Sequence, residues 1–138
     1  MDAPRRKVVL VEDDPDARDL LCALLGRMGF EVWPASDGRA GLSLVDTHKP
    51  DLVCLDLSLP NILGFEVCQT IRGNVAHAGT RVLVTTARLS PQDRALAENL
   101  GVDEYLTKPF STAAFKQAVE RLLRESREPV ALQPGAQT

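Results

Sequence analysis

The chain has no surplus of positive charge, no long apolar run and no paired cysteines, and each absence removes a class of function. Its formal net charge is -3, so it lacks the basic stripe that neutralises a nucleic-acid backbone, and direct nucleic-acid binding is not expected. The basic cluster Arg5-Arg6-Lys7 is too short to change that. Uninterrupted apolar runs last only a few residues, which argues against a membrane-spanning helix. The first residues also lack the apolar core of a signal peptide, and a cytoplasmic protein is the expectation. Cys22, Cys54 and Cys68 are odd in number, widely spaced and without a CxxC pair. They read as buried reduced thiols rather than as a metal or redox site.

What is present has the make-up of one ordinary domain. Over 138 residues the hydrophobic share is 44% and the charged share 25%, enough for a single core and against disorder. Short apolar runs at 7–11, 30–34, 51–56, 81–86 and 103–107 alternate with stretches of helical spacing. Leu20, Leu21, Leu24, Leu25 and Met28 form the first helical stripe, closed by Gly29. A second helix begins near Asp37-Gly38, and Phe65, Cys68 and Ile71 mark a third that ends near Gly73. Ser90 and Pro91 open a fourth, whose apolar face (Leu96, Ala97, Leu100) is thin. Phe115, Val119, Leu122 and Leu123 mark the fifth, with Ser111 placed to cap it. His48 and His77 sit in polar contexts and read as surface residues, and Trp33 as partly buried packing. The expected organisation is a domain over 7–125 followed by a flexible tail or linker stub at 126–138.

Five strands alternating with five helices imply an α/β fold, a doubly wound parallel sheet covered on both faces. Ligands of such sheets bind beyond the carboxyl ends of the strands, so the residues there carry the chemistry. Strand one ends in Glu12-Asp13, strand three in Asp56, strand four in Thr85-Thr86, and strand five runs into Lys108-Pro109. Three carboxylates, a hydroxyl and an ammonium are thus expected at one edge. Crowded carboxylates raise each other's pKa unless something neutralises them. A hard divalent cation such as Mg2+ does so, held by carboxylates, waters and phosphate oxygens. A carboxylate can also act as nucleophile and form an aspartyl-phosphate. Phosphoryl transfer then needs mainly positioning and charge neutralisation, which metal and lysine together supply. The set makes sense as a phosphoryl acceptor. The remaining acids of the first loop read differently: Asp14 caps the first helix, Pro15 starts it, and Asp16 complements its dipole.

With "VVLVEDDPDARDLL", "PDLVCLDLSLPNILGFEVC", "VLVTTA" and "GVDEYLTKPF" in this order and spacing, residues 7 to 124 resemble the receiver domains of two-component response regulators. The resemblance implies a flavodoxin-like, chemotaxis-receiver-like sheet of order 2-1-3-4-5. It implies that Asp56 is the phosphoacceptor, that Asp13 binds Mg2+ directly, and that Glu12 acts through a metal-bound water. Ser58 would offer its backbone carbonyl to the metal. Lys108 would contact the phosphoryl group, and its bond to Pro109 would be cis. Thr86 and Tyr105 would form a switch pair that reports to the face of helix four, strand five and helix five. The implied partners are a histidine kinase or a histidine phosphotransfer protein upstream, and a protein target or a second copy of the chain downstream. Leu63 before Gly64, where the family usually has Asp or Asn, together with Asn61-Ile62, makes the loop after Asp56 less polar. Arg88, two residues after Thr86, would border the site.

Other readings are an aspartyl-phosphate phosphohydrolase of similar fold, a flavodoxin-like cofactor binder, or a receiver that is part of a longer regulator or hybrid kinase. Phosphohydrolases of that kind commonly carry a second acid where this chain has Ser58. A cofactor phosphate would be repelled by Glu12-Asp13-Asp14.

Overall fold

A strand with helices on both sides must be apolar on both faces, and Lys7–Val11 (β1), Leu52–Asp56 (β3) and Arg81–Thr86 (β4) are almost wholly buried. The structure is a computed structural model that describes residues 5–57, 64–87 and 91–124. Ser58, Asn61, Ile62, Leu63, Arg88, Ser90 and the tail expected at 126–138 lie outside the described residues. Glu31–Ala35 (β2) and Glu104–Thr107 (β5) flank the three central strands. The sheet is parallel throughout, in the order β2-β1-β3-β4-β5. Pro34 is tolerated in β2 because an edge strand can spare a ladder donor. Five helices connect the strands: Pro15–Arg27 (α1), Gly38–His48 (α2), Gly64–Arg72 (α3), Pro91–Asn99 (α4) and Thr112–Arg124 (α5). This is the expected doubly wound α/β fold.

Alternation along each strand builds two cores. Val8, Leu10, Leu52, Cys54 and Leu83 pack with Leu21 and Leu25 of α1 and Phe115, Val119 and Leu122 of α5. Val9, Val11, Val53, Leu55, Val82 and Val84 pack on the other face with Val45 of α2 and Val67 and Ile71 of α3. Each such side chain, fully buried, contributes about 1.5–3 kcal/mol. Helix α2 lies close against β1: a Cβ on Gly41 would come within 2.6 Å of Val11 Cγ2. The expected thiols are free, with Cys54 and Cys68 buried and Cys22 half-buried. Burial pushes the Cys68 thiol up to about 12.

The caps fall where the residue types suggested. Asp14 accepts from Ala17 N at 2.8 Å, with Pro15 at the helix start. Asp37 accepts from Ala40 N at 2.9 Å, and Ser111 Oγ from Ala114 N at 3.0 Å. The exit from α1 departs from expectation by one residue, since β2 begins at Glu31 rather than at position 30. Phe30 N donates to Leu25 O at 3.2 Å and Gly29 N to Gly26 O at 3.0 Å, with Gly29 at φ 97°. That is a Schellman ending, in which the residue after the glycine packs back on the helix. Phe30 accordingly rests against the core that contains Leu25.

Two expectations are corrected. His77, expected at the surface, is 3% exposed, with Nε2 3.0 Å from Asp46 Oδ1. It lies in a short 3-10 turn, Val75–His77, between α3 and β4. Leu20, expected in the core stripe of α1, is 53% exposed. The stripe is wider than the face that packs, and Leu21 and Leu25 take the core positions.

Candidate functional site

The acids at the carboxyl edge arrive there because β1 and β3 are neighbours and end level, with Val11 opposite Leu55. One residue further lie Glu12 and Asp56, 1% and 4% exposed. Asp13 follows on the exposed β1–α1 loop. Oxygen atoms of Glu12, Asp13 and Asp56 lie within 4.8 Å of one another. An all-oxygen, all-carboxylate donor set of this spacing fits a hard cation such as Mg2+ and does not fit a soft one.

Lys108 reaches the same point from the end of β5. Its Nζ donates to Glu12 Oε1 at 2.8 Å and to Asp56 Oδ2 at 3.0 Å. The Lys108–Pro109 peptide is cis, as the resemblance implied, and Lys108 N donates to Thr86 O at 2.7 Å. Burial is the chief cause holding the Glu12 carboxyl above the ordinary glutamate range, and the Lys108 ammonium and the Asp14 N–H pull against it. Burial alone would lower the Lys108 pKa. The hydrogen bonds to Glu12 and Asp56 outweigh it and hold the ammonium above the usual lysine value.

Thr86 ends β4, is 2% exposed, and sits one residue past Thr85, the register partner of Asp56. Tyr105 lies in β5 opposite Val84, half-buried against the core that faces α2 and α3. Its ring is covered by the Arg94 guanidinium at 4.5 Å, and its hydroxyl donates to Glu98 Oε2 at 3.4 Å. Both partners are on α4, four residues apart and so on one face of the helix. None of the described side chains in α4 is buried, which agrees with the thin apolar face expected there.

Two features of the site went unread in the sequence. Arg18 Nη1 donates to Glu12 O at 3.0 Å and to Asp13 O at 3.4 Å. A groove of about 520 Å³ borders the acids, lined by Ala17, Leu20, Leu21, Pro109 and Phe110 among others. The signal for the groove was present, since Leu20 widens the α1 stripe beyond what one core-facing side needs. Arg18 carried none, because a single arginine near the start of a helix names no partner in the sequence.

A parallel sheet of this order, with three clustered acids and a lysine at its carboxyl edge, is the arrangement that the resemblance to receiver domains implied. Residues 8–120 match the response regulator receiver domain. The chain is 38% identical over 120 residues to the DNA-binding dual master transcriptional regulator RpaA of Synechocystis sp., a match covering 87% of this chain and 50% of that protein. It is also 38% identical over 121 residues to the alkaline phosphatase synthesis transcriptional regulatory protein PhoP of Bacillus subtilis, covering 88% and 50%. The chain thus spans about half the length of these relatives. Among solved structures it superposes on the chemotaxis protein CheY4 of Vibrio cholerae with a TM-score of 0.81 at 27% identity, covering 86% of this chain and 99% of that one. The chain belongs to the response regulator receiver domain family. Among the described residues no helix is long and apolar enough to cross a membrane.

Proposed function

We propose that Asp56 accepts a phosphoryl group from a phosphohistidine on a histidine kinase or phosphotransfer protein, with Mg2+ held by Glu12, Asp13, Asp56 and the backbone carbonyl of Ser58. The observation that supports this best is the cluster of three carboxylates with Lys108 in contact with two of them. A carboxylate oxygen of Asp56 forms the new bond to phosphorus while the P–N bond to the donor imidazole breaks. The cation supplies neutralisation of the equatorial oxygens, and Lys108 supplies a fixed positive charge beside them. The groove beside the acids, with Leu20 exposed, leaves an apolar surface for the donor protein next to Asp56.

The phosphoryl group adds about -1.5 to -2 charge, by analogy with other phosphorylated side chains. Thr86 then donates to a phosphoryl oxygen, and the Tyr105 ring turns inward and leaves Arg94 and Glu98. The face of α4, β5 and α5 changes with it and engages a protein target or a second copy of the chain. In this reading the chain assists its own phosphorylation and dephosphorylation but turns over no separate substrate. It works in the cytoplasm as the domain over 7–125, with 126–138 as a tail or linker, and makes no direct contact with nucleic acid. The net charge of -3 supports that last point.

Exposure to a small-molecule phosphodonor with Mg2+, followed by intact mass, tests the reading. One added phosphoryl group is expected, absent in Asp56→Asn and absent without Mg2+. An adduct retained by Asp56→Asn overturns the assignment, and steady multiple turnover on simple phosphoesters supports the phosphohydrolase instead.

A further inference from the structure

We propose that Arg18 is a positioning residue for the cation site, holding the β1–α1 loop in the one arrangement that presents the carboxylates of Glu12 and Asp13 together. This rests on the reading of the acid cluster as a Mg2+ site. The two acids are consecutive and leave the end of a strand, where the backbone would ordinarily send neighbouring side chains to opposite faces. Yet their oxygens converge with that of Asp56 to within 4.8 Å. The peptide groups around Asp13 must therefore be turned out of strand geometry and kept there against the repulsion of the acids.

Arg18 is placed to do this. One nitrogen of its guanidinium binds the carbonyl of Glu12 at 3.0 Å and reaches that of Asp13 at 3.4 Å. Those two carbonyls belong to the peptides on either side of the Asp13 Cα, so fixing both fixes the direction of its side chain. The base of the arginine is itself anchored: Arg18 N donates to Asp14 O at 2.9 Å in the first turn of α1, and Asp14 caps that helix. The Asp14 N–H in turn donates to Glu12 Oε2 at 3.2 Å, which ties the second acid to the same turn. Arg18 touches backbone oxygens rather than the carboxylates. It orients the acids through the peptides that carry them, by way of one guanidinium nitrogen held at the end of a rigid planar group.

Charge alone predicts the opposite of orientation. A guanidinium this close to the acids repels a divalent cation, so removing it should tighten binding if position is unimportant. Calorimetric titration with Mg2+ of wild type, Arg18→Met, Arg18→Lys and Asp13→Asn separates the two. Arg18→Met is expected to bind Mg2+ about tenfold more weakly, as is typical when a group orienting a metal ligand is lost. Arg18→Lys is expected to fall between Arg18→Met and wild type. Circular dichroism melting without Mg2+ gives the structural readout, and the melting temperature of Arg18→Met is expected to move little. If Arg18→Met does not fold, Arg18→Leu, which likewise removes every donor, takes its place with the same expectation. Unchanged or tighter Mg2+ binding in the folded variant overturns the proposal. Absence of Mg2+ binding by wild type instead defeats the reading of the acid cluster on which it rests.

Discussion

The two ends of the sheet both bury acid, and they treat it in opposite ways. At the amino end Asp103, with its side chain 6% exposed, is matched on both oxygens. Oδ2 accepts from Arg72 Nη2 at 2.7 Å and from Val82 N at 2.8 Å, and Oδ1 accepts from Arg81 Nη1 at 3.2 Å. The arginines are further tied to carbonyls, Arg72 to Gly101 O and Thr80 O and Arg81 to Leu122 O. At the carboxyl end three carboxylates meet one lysine, which is itself 27% exposed. Around Asp103 two guanidinium groups face one carboxylate. At the carboxyl end, among the described residues, the ammonium of Lys108 bonds two of three clustered carboxylates and Arg18 bonds only their backbone carbonyls. The contrast between an acid matched on both oxygens at one edge and three clustered carboxylates at the other supports the cation site proposed above.

The largest expected consequence of the contrast is in Asp103→Ala. Removing one member of a buried ion network leaves the others desolvated without their counter-charge, which costs about 3–5 kcal/mol. Urea unfolding of the variant against wild type measures it. Asp13→Asn at the other end removes an exposed acid from a like-charged cluster, and metal-free stability is expected to stay within about 0.5 kcal/mol of wild type. Similar losses in the two variants would erase the distinction between a structural end and a ligand end.

The carboxyl end was legible in the sequence and the amino end was not, for a physical reason. Glu12, Asp56, Thr86 and Lys108 each stand at the end of an apolar run, and the parallel topology alone brings such ends together. The division of the first acidic loop was legible as well, since Asp14 and Pro15 carry local helix-start chemistry independent of the rest of the fold. Asp103 and its arginines have no such marker. Arg72 closes a helix and Arg81 opens a strand, both ordinary places for arginine, and they meet Asp103 across separations of 31 and 22 residues. His77 and its partner Asp46 are 31 residues apart, so nothing local in the sequence marked that pairing. Arg18 is close in sequence to the acids, but it acts on their carbonyls, and backbone groups leave no trace in composition.

A second, smaller effect should separate the ends by their response to Mg2+. A cation that binds only the folded state stabilises it by about 2.7 kcal/mol at a hundredfold excess over its dissociation constant. Wild type and Asp103→Ala should each gain this amount, since the amino end takes no part in binding. Asp13→Asn should gain little. Equal gains in Asp13→Asn and wild type would place the cation elsewhere in the molecule.

The smallest effect concerns Lys108, whose ammonium touches two of the acids at the carboxyl end. Lys108 keeps its proton more tightly in the folded chain than the ordinary value of 10.5, because its bonds to Glu12 and Asp56 outweigh the burial that favours the neutral amine. A group whose folded pKa is raised contributes stability that is complete below the unfolded value and lost as pH rises through the folded one. The metal-free wild type should therefore exceed Lys108→Met in stability by a constant margin from neutral pH to about 10.5, and the margin should shrink above that. Partial exposure of the ammonium lets solvent screen it, so this margin should be well below the loss in Asp103→Ala. Paired urea titrations of the two proteins from neutral pH to about pH 11 read the margin directly. A margin that persists undiminished at the alkaline end would mean that the lysine stem, by packing, does what has been ascribed to its charge.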